Sequence, residues 1–221
     1  MSHFAHQSEE HYLKTLYKLS QASVKKVNNI ALSKALELNP ATVLEMVRKL
    51  NTKNLVQLQP DKSIQLTEKG RKKALLTIRK HRLWEVFLVE KLRYKWNEVH
   101  ELAEQLEHID SFQLIDRLEQ YLGNPAVDPH GDPIPDKNGK IKATQSQPLS
   151  QAAIGKSYKV TNLADTNDAF LQYLDEINIK PGTKLKLTGI NEYDHSCQVL
   201  LSKTPIVLSQ KMAKNILVQG T

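Results

Sequence analysis

Cysteine is nearly missing from this chain of 221 residues. Cys197 is the single one, so no disulfide framework within the chain and no thiolate zinc cluster can form, which fits a reducing compartment. Long apolar runs are missing as well. No stretch approaches the roughly 18 residues of a membrane-spanning helix. The opening MSHFAHQSEEHY has no basic region followed by an apolar core and does not read as a signal peptide. HExxH, a Gly-rich phosphate loop and Gly-x-Ser-x-Gly are also absent, which removes the usual signatures of zinc proteases, phosphate cradles and serine hydrolases. What the chain does have is a basic surplus. Lys and Arg number 31 against 24 Asp and Glu, a net charge of +7, and that balance suits a polyanionic partner. The length allows two or three small domains.

From Ser8, a candidate N-cap followed by Glu9 and Glu10, the apolar stripe Tyr12, Leu13, Leu16, Tyr17 and Leu19 predicts a helix, with residues 1–8 loose before it. Residues 27–36 read as a short helix, 37–40 as a turn, and 41–51 as a second helix with Asn39 or Pro40 at its start. Two short strands, 55–58 and 63–66, follow around a polar tip. Helix, helix, turn, helix, hairpin is the order of a winged helix-turn-helix; the alternative is a small α+β module without a DNA role. In the recognition position, Val43, Met46, Val47 and Leu50 point inward, while Asn39, Ala41, Thr42, Leu44, Glu45, Arg48 and Lys49 point outward. Glu45 can accept from cytosine N4 and Thr42 can contact bases. Arg48, Lys49 and Lys53 suit phosphates, and Lys62 at the hairpin tip can reach the backbone or the minor groove.

Thr67 caps a long basic helix that carries His81 and Glu85 four residues apart. After a short link, VHELAEQLEHID (99–110) contains no Gly or Pro and is rich in Leu, Ala and Glu, so it predicts a helix. Residues three and four apart share a helix face, which aligns His100, Glu104 and His108, with Glu107 beside them. Carboxylates beside an apolar face repel one another and lack solvent; a divalent cation removes both problems. The other reading of this segment is a solvated helix face. A further helix, 111–122, carries apolar residues that suggest a helical dimer interface. Residues 123–147, rich in Pro, Gly, Asp and Asn with little periodicity, read as an ordered loop followed by a linker, in which His130 is a loop residue first and a ligand only as a remote option. Beyond it, short strands at 157–162, 184–190, 198–202, 206–208 and 216–219, with a helix at 168–178, form a small partly open β-barrel.

The segments SEEHYLKTLYKL, ALELNPATVLEMVRKLNTKNLVQLQPDKSIQLTEKGRKKA, RKHRLWEVFLVEKL, EVHELAEQLEHID and GNPAVDPHGDPIP together resemble the diphtheria toxin repressor family of metal-dependent repressors, which includes the manganese transport regulators. The remainder resembles the small SH3-like, FeoA-like barrel of longer members. The resemblance implies a multidomain α+β fold: a winged helix DNA-binding domain (1–70), an all-α metal-binding and dimerisation domain (71–142), a linker (143–155) and the SH3-like barrel (156–221). It implies a primary metal site at His11, Glu104, Glu107 and His108. Members usually carry Met or Asp where His11 stands, and iron-responsive members carry Cys where Glu104 stands. The harder carboxylate leans toward manganese. The resemblance also implies an ancillary site at His81, Glu85 and His100. The barrel ligands of longer members match Thr166 and Ala169, which do not coordinate; Asp165 or Asp168 is the substitute. Short manganese regulators place a Glu where Lys14 stands.

The expected function is therefore that of a cytoplasmic, metal-dependent repressor of metal-homeostasis genes. It is a homodimer that binds a palindromic double-stranded DNA operator when Mn²⁺ is bound, with no membrane or organic cofactor involved. Iron(II) is the alternative metal. A metalloenzyme using the His/Glu cluster is the remote alternative, and the chain is expected not to be an enzyme.

Overall fold

The computed structural model describes residues 2–21, 26–142 and 145–221, with side chains of the first helix from residue 9 onward. It divides into two compact units: Met1–His81 with Glu104–Ile115 and Pro135–Ile141, and Arg82–Ala103 with Asp116–Ile134 and Lys142–Thr221.

The first unit opens with helix α1 (Ser2–Gln21). It begins well before Ser8. No Gly or Pro interrupts 2–21, and once a helix is nucleated each added residue gains a backbone bond. The Ser8 side chain lies outside the described residues. Helix α2 (Asn29–Leu36) is capped by Asn28, whose side chain accepts from Ala31 N, and it ends on Glu37 in the left-handed region. Helix α3 (Pro40–Thr52) starts with Asn39 as N-cap and Pro40 at its first turn, the position where a missing N–H costs nothing. Strands β1 (Val56–Leu58) and β2 (Ile64–Leu66) form an antiparallel hairpin. Ile64 N donates to Val27 O at 2.7 Å, tying the wing to the start of α2. Tyr12, Leu13, Leu16, Leu32, Val43, Val47, Leu50, Leu55, Ile64 and Leu75 make one buried core, each large side chain contributing on the order of 2 kcal/mol. This is the winged helix expected from the pattern.

Helix α4 (Glu68–Glu90) begins where Thr67 Oγ1 accepts from Gly70 N at 3.1 Å. A Cβ at Gly70 would stand 1.9 Å from Leu55 O, so the helix can approach the wing only without one. Helix α5 (Val99–Leu106) is shorter than the expected 99–110. Ile109 N turns back to Leu106 O at 3.2 Å, and Ser111 Oγ accepts from Leu114 N to open helix α6 (Phe112–Tyr121). Glu107 and His108 therefore sit on a turn between two helices. Helices α4, α5 and α6 each contribute residues to both units.

The second unit contains a six-stranded antiparallel sheet in the order β3-β8-β4-β5-β6-β7. Its strands are β3 (Gln147–Pro148), β4 (Ser157–Leu163), β5 (Lys184–Ile190), β6 (Cys197–Leu201), β7 (Thr204–Leu208) and β8 (Ile216–Gly220). Irregularities at Val160/Asn162 and Leu187/Gly189 bend it. Helix α7 (Asp168–Glu176) and the short α8 (Gln210–Asn215) complete it. The pattern of the sequence missed β3, which falls in the Gln- and Pro-containing stretch that reads as linker, and α8, which is too short to show periodicity. Trp96, from the link between α4 and α5, is buried in the core of this sheet, and its Nε1 donates to Asp175 Oδ2 at 2.7 Å.

Candidate functional site

The first unit gathers buried charge where α1 meets the segment 104–108. Spacing on α1 puts Glu10, His11 and Lys14 within a turn of one another, beside the buried stripe. The Lys14 side chain is only 3% exposed. Its ammonium donates to Glu104 Oε1 and to Glu107 Oε2, both at 2.6 Å, and lies 3.2 Å from His81 Nδ1. His81 Nδ1 is itself 2.6 Å from Glu107 Oε2. His11 Nδ1 stands 3.7 Å from Glu104 Oε2. His108 Nδ1 donates to Glu10 Oε2 at 2.8 Å, and Lys80 donates to the other oxygen of Glu10 at 3.2 Å. That bond fixes the ring so that His108 Nε2 turns to Glu107 Oε1, 3.9 Å away.

Of the four residues expected to form a primary site, His11 faces Glu104 and His108 faces Glu107, and three further residues join them: Lys14, Glu10 and His81. Lys14 occupies the point where the carboxylates converge, and Glu10 orients His108. Burial alone would raise the Glu104 carboxyl; His11, Lys14 and His81 overcome it and hold the group well below the usual carboxylate range. Glu107 is fully buried, and among the described residues its Oε1 has no hydrogen-bond partner. A buried carboxylate oxygen left without a donor is costly. With two imidazoles and a second carboxylate beside it, this donor set fits a hard divalent cation.

The second unit holds another cluster. Glu85 on α4 faces His100 on α5, with Nδ1 3.4 Å from Oε1. The remaining member of the expected ancillary set, His81, belongs to the first unit and contacts Glu107. Glu85 also faces the loop before the barrel: its Oε2 lies 3.8 Å from His130 Nδ1, which is 4.0 Å from Asp128 Oδ1. Glu85, Asp128 and His130 are all buried, and one ligand atom from each falls within 4.8 Å of the others. His130 stacks on Trp96 with ring centroids 5.9 Å apart, and its Nε2 donates to Trp96 O at 2.9 Å. That bond turns Nδ1 toward the two carboxylates, where its proton is shared with Glu85 and from which it would have to leave before the nitrogen could act as a metal ligand. Burial pushes His130 down, but the bond and charge of Glu85 and the charge of Asp128 win and raise it to about 9. Burial, reinforced by Glu85 and Asp132, raises Asp128 against the pull of Arg82 and His130.

Sequence reasoning did not join Asp128 and His130 to Glu85. Asp128 Oδ1 accepts from His130 N and Asp132 N at 2.8 and 3.0 Å, and Gly131 is at φ 87° with the space of its absent Cβ filled by Thr161 O. The string Asp128-Pro-His130-Gly131-Asp132 carries a legible turn signal, but nothing in its spacing points to Glu85. Asp168 stands exposed in the first turn of α7, outside both clusters. Asp165 Oδ1 accepts from Asn167 N at 2.9 Å.

On the recognition helix, Ala41, Thr42, Glu45 and Arg48 are exposed and Leu44 is half-buried. Asn39 is committed to capping, its Oδ1 accepting from Ala41 N at 2.8 Å. Lys49 is exposed but lies 3.2 Å from Glu9 Oε1, and Lys53 donates to the same oxygen. Burial raises the Glu9 carboxyl, and those two lysines more than reverse it. Lys62 sits exposed at the hairpin tip with φ 64°.

Three family models match the chain: the iron dependent repressor N-terminal DNA binding domain over residues 6–64, the iron dependent repressor metal binding and dimerisation domain over 67–136, and the FeoA domain over 147–220. The iron-dependent repressor IdeR of Mycobacterium tuberculosis is 36% identical over 126 residues, 57% of this chain and 54% of that relative, so the match spans about half of the relative's length. IdeR of Mycobacterium leprae is 33% identical over 188 residues, 82% of this chain and 79% of that relative. Among solved structures, a manganese-dependent transcriptional repressor in complex with manganese is 32% identical, with a TM-score of 0.88, covering 96% of this chain and all of that one. The manganese regulator SloR is 30% identical, with a TM-score of 0.78, covering 96% of this chain and 98% of that one.

Proposed function

The chain belongs to the iron-dependent repressor family of metal-dependent transcriptional repressors, and from that premise we propose that it is a cytoplasmic, manganese-responsive repressor of metal-homeostasis genes that binds a palindromic operator as a homodimer. The observation that carries the metal reading is the fully buried Oε1 of Glu107, which has no hydrogen-bond partner among the described residues and lies 3.9 Å from His108 Nε2. A manganese ion held by Glu107, Glu104, His11 and His108 would supply the positive charge that this oxygen lacks.

The rest follows from where the chain anchors these side chains. His11 rides on α1, and α1 is packed into the winged-helix core through Tyr12, Leu13, Leu16 and Tyr17. Glu9, two residues before His11, holds Lys49 at the end of α3 and Lys53 just after it. Fixing α1 therefore fixes the recognition helix. Glu104, Glu107 and His108 lead directly into the start of α6, where Phe112 and Leu114 expose apolar surface suited to a second subunit. Joining α1 to this turn sets the recognition helix against the dimerising surface, and so sets the spacing of two recognition helices on DNA. Metal favours the DNA-competent arrangement by binding it better than the others. Glu85, Asp128 and His130 are the proposed holders of a further ion.

The alternative metal, iron(II), is favoured by the similarity to the iron-dependent repressors IdeR, whereas the carboxylate at Glu104 favours manganese. The test uses a palindromic duplex selected from random-sequence DNA. Mn²⁺ should strengthen binding about 10- to 100-fold, His108→Ala should remove most of that gain, and anaerobic iron(II) in the same assay ranks the metals. Equal affinity with and without every divalent ion would overturn the reading.

A further inference from the structure

We propose that Lys14 is a tethered cation which holds the Glu104–Glu107 pair in the absence of metal and sets the concentration at which a divalent ion enters the cluster. The inference rests on the cluster being a cation site. Its own support is geometric. The ammonium is buried and donates at 2.6 Å to one oxygen of each carboxylate, the place at which a bridging cation would neutralise both. It comes from α1, three residues beyond His11, so its contact joins the same two segments that the cation would join.

Two consequences follow. Without metal, α1 is already linked to the turn at 107–108, so the apoprotein does not leave the buried Glu107 and the half-buried Glu104 uncompensated; a buried carboxylate left that way is strongly destabilising. With metal, Glu104 Oε1 and Glu107 Oε2 become available only as the ammonium withdraws. The oxygens that need no such exchange are Glu104 Oε2, which faces His11, and Glu107 Oε1, which faces His108. Lys14 thus makes metal binding an exchange of one cation for another and weakens the apparent affinity. Coulomb repulsion between the ammonium and an entering divalent ion acts in the same direction.

The test is a Mn²⁺ titration of the full-length protein without DNA, followed by the electron paramagnetic resonance of free Mn²⁺ and by calorimetry, together with thermal unfolding of each apoprotein. Glu107→Gln identifies the cluster's own binding transition as the one it abolishes. Lys14→Met, which keeps length and loses charge, should bind that ion about tenfold or more tightly, and its apoprotein should melt lower and be restored by Mn²⁺. Lys14→Arg, which keeps the charge, should hold the apoprotein near wild-type stability and retain weak uptake. If Lys14→Met and Lys14→Arg both titrate and melt like wild type while Glu107→Gln loses the transition, the lysine proposal fails and the cluster stands. If Glu107→Gln also titrates like wild type, the cluster reading itself fails. Should Lys14→Met not fold without metal, tighter uptake by Lys14→Gln decides for the proposal, and unchanged uptake decides against it.

Discussion

In the first unit the carboxylates of Glu104 and Glu107 close on an ammonium from α1. In the second, Glu85 and Asp128 close on an imidazole from a loop. Both places bury acid, and both supply a cation, but the cations stand differently. Lys14 sits at the focus of its pair. The fixed charge of the second cluster, Arg82, approaches from the side: its Nε is 3.3 Å from Asp128 Oδ2 and its Nη2 is 3.1 Å from Asp132 Oδ2. The focus there is left to His130 Nδ1. An imidazole becomes a ligand by losing a proton where it stands, whereas an ammonium has to move. On the proposed reading, ion entry to the first cluster would be gated by a side chain and to the second by pH.

The sharpest way to break this contrast is to remove the sideways charge. Arg82→Met strands Asp128 and Asp132, and urea unfolding should show a loss of about 3 kcal/mol, part of it recovered by Mn²⁺. Unchanged stability would mean that Arg82 does not neutralise the cluster. A pH series sharpens the contrast at intermediate effect. The folded pKa of His130, raised to about 9, lies above its ordinary value near 6.5. Its contribution to apoprotein stability is thus full below about 6.5 and is lost as pH climbs through about 9. Over the same range the bare Nδ1 becomes available, so Mn²⁺ uptake by this cluster should tighten while stability without metal declines; His130→Gln should flatten both trends. The smallest effect is a control that should not distinguish the clusters. Arg48→Ala should lower the salt slope of operator binding by about one unit, equally in wild type and in a His130 variant. A slope change confined to one of them would tie the second cluster to the DNA face.

The contrast also marks what the sequence could reveal. The helical order, the hairpin and most barrel strands follow from periodicity and turn chemistry, because each is set by residues near one another in the chain. Part of the first cluster is equally legible: Glu104, Glu107 and His108 are nearly contiguous, whereas His11 entered only through the family resemblance. What periodicity got wrong there was the surface, since Glu107 and His108 ride a turn rather than the helix. The position of Lys14 at the focus depends on how α1 packs, which spacing cannot express. His130 was hidden for a different reason. It lies in an aperiodic loop 45 residues beyond Glu85, and only the fold of that loop, with Gly131 pressed against the carbonyl of Thr161, turns its ring toward the acid.

That loop is also pinned by the barrel. Leu163 N donates to His130 O at 3.1 Å, and Asn162 Nδ2 donates to Asp132 Oδ1 at 3.0 Å, while the indole on which His130 lies is sunk in the barrel core. A chain trimmed to its first 142 residues would lay that indole bare to water. It would also unclasp the His130 segment, so the missing third of the protein would be felt as stickiness and as a loosened grouping of Glu85, Asp128 and His130 in the part that remains.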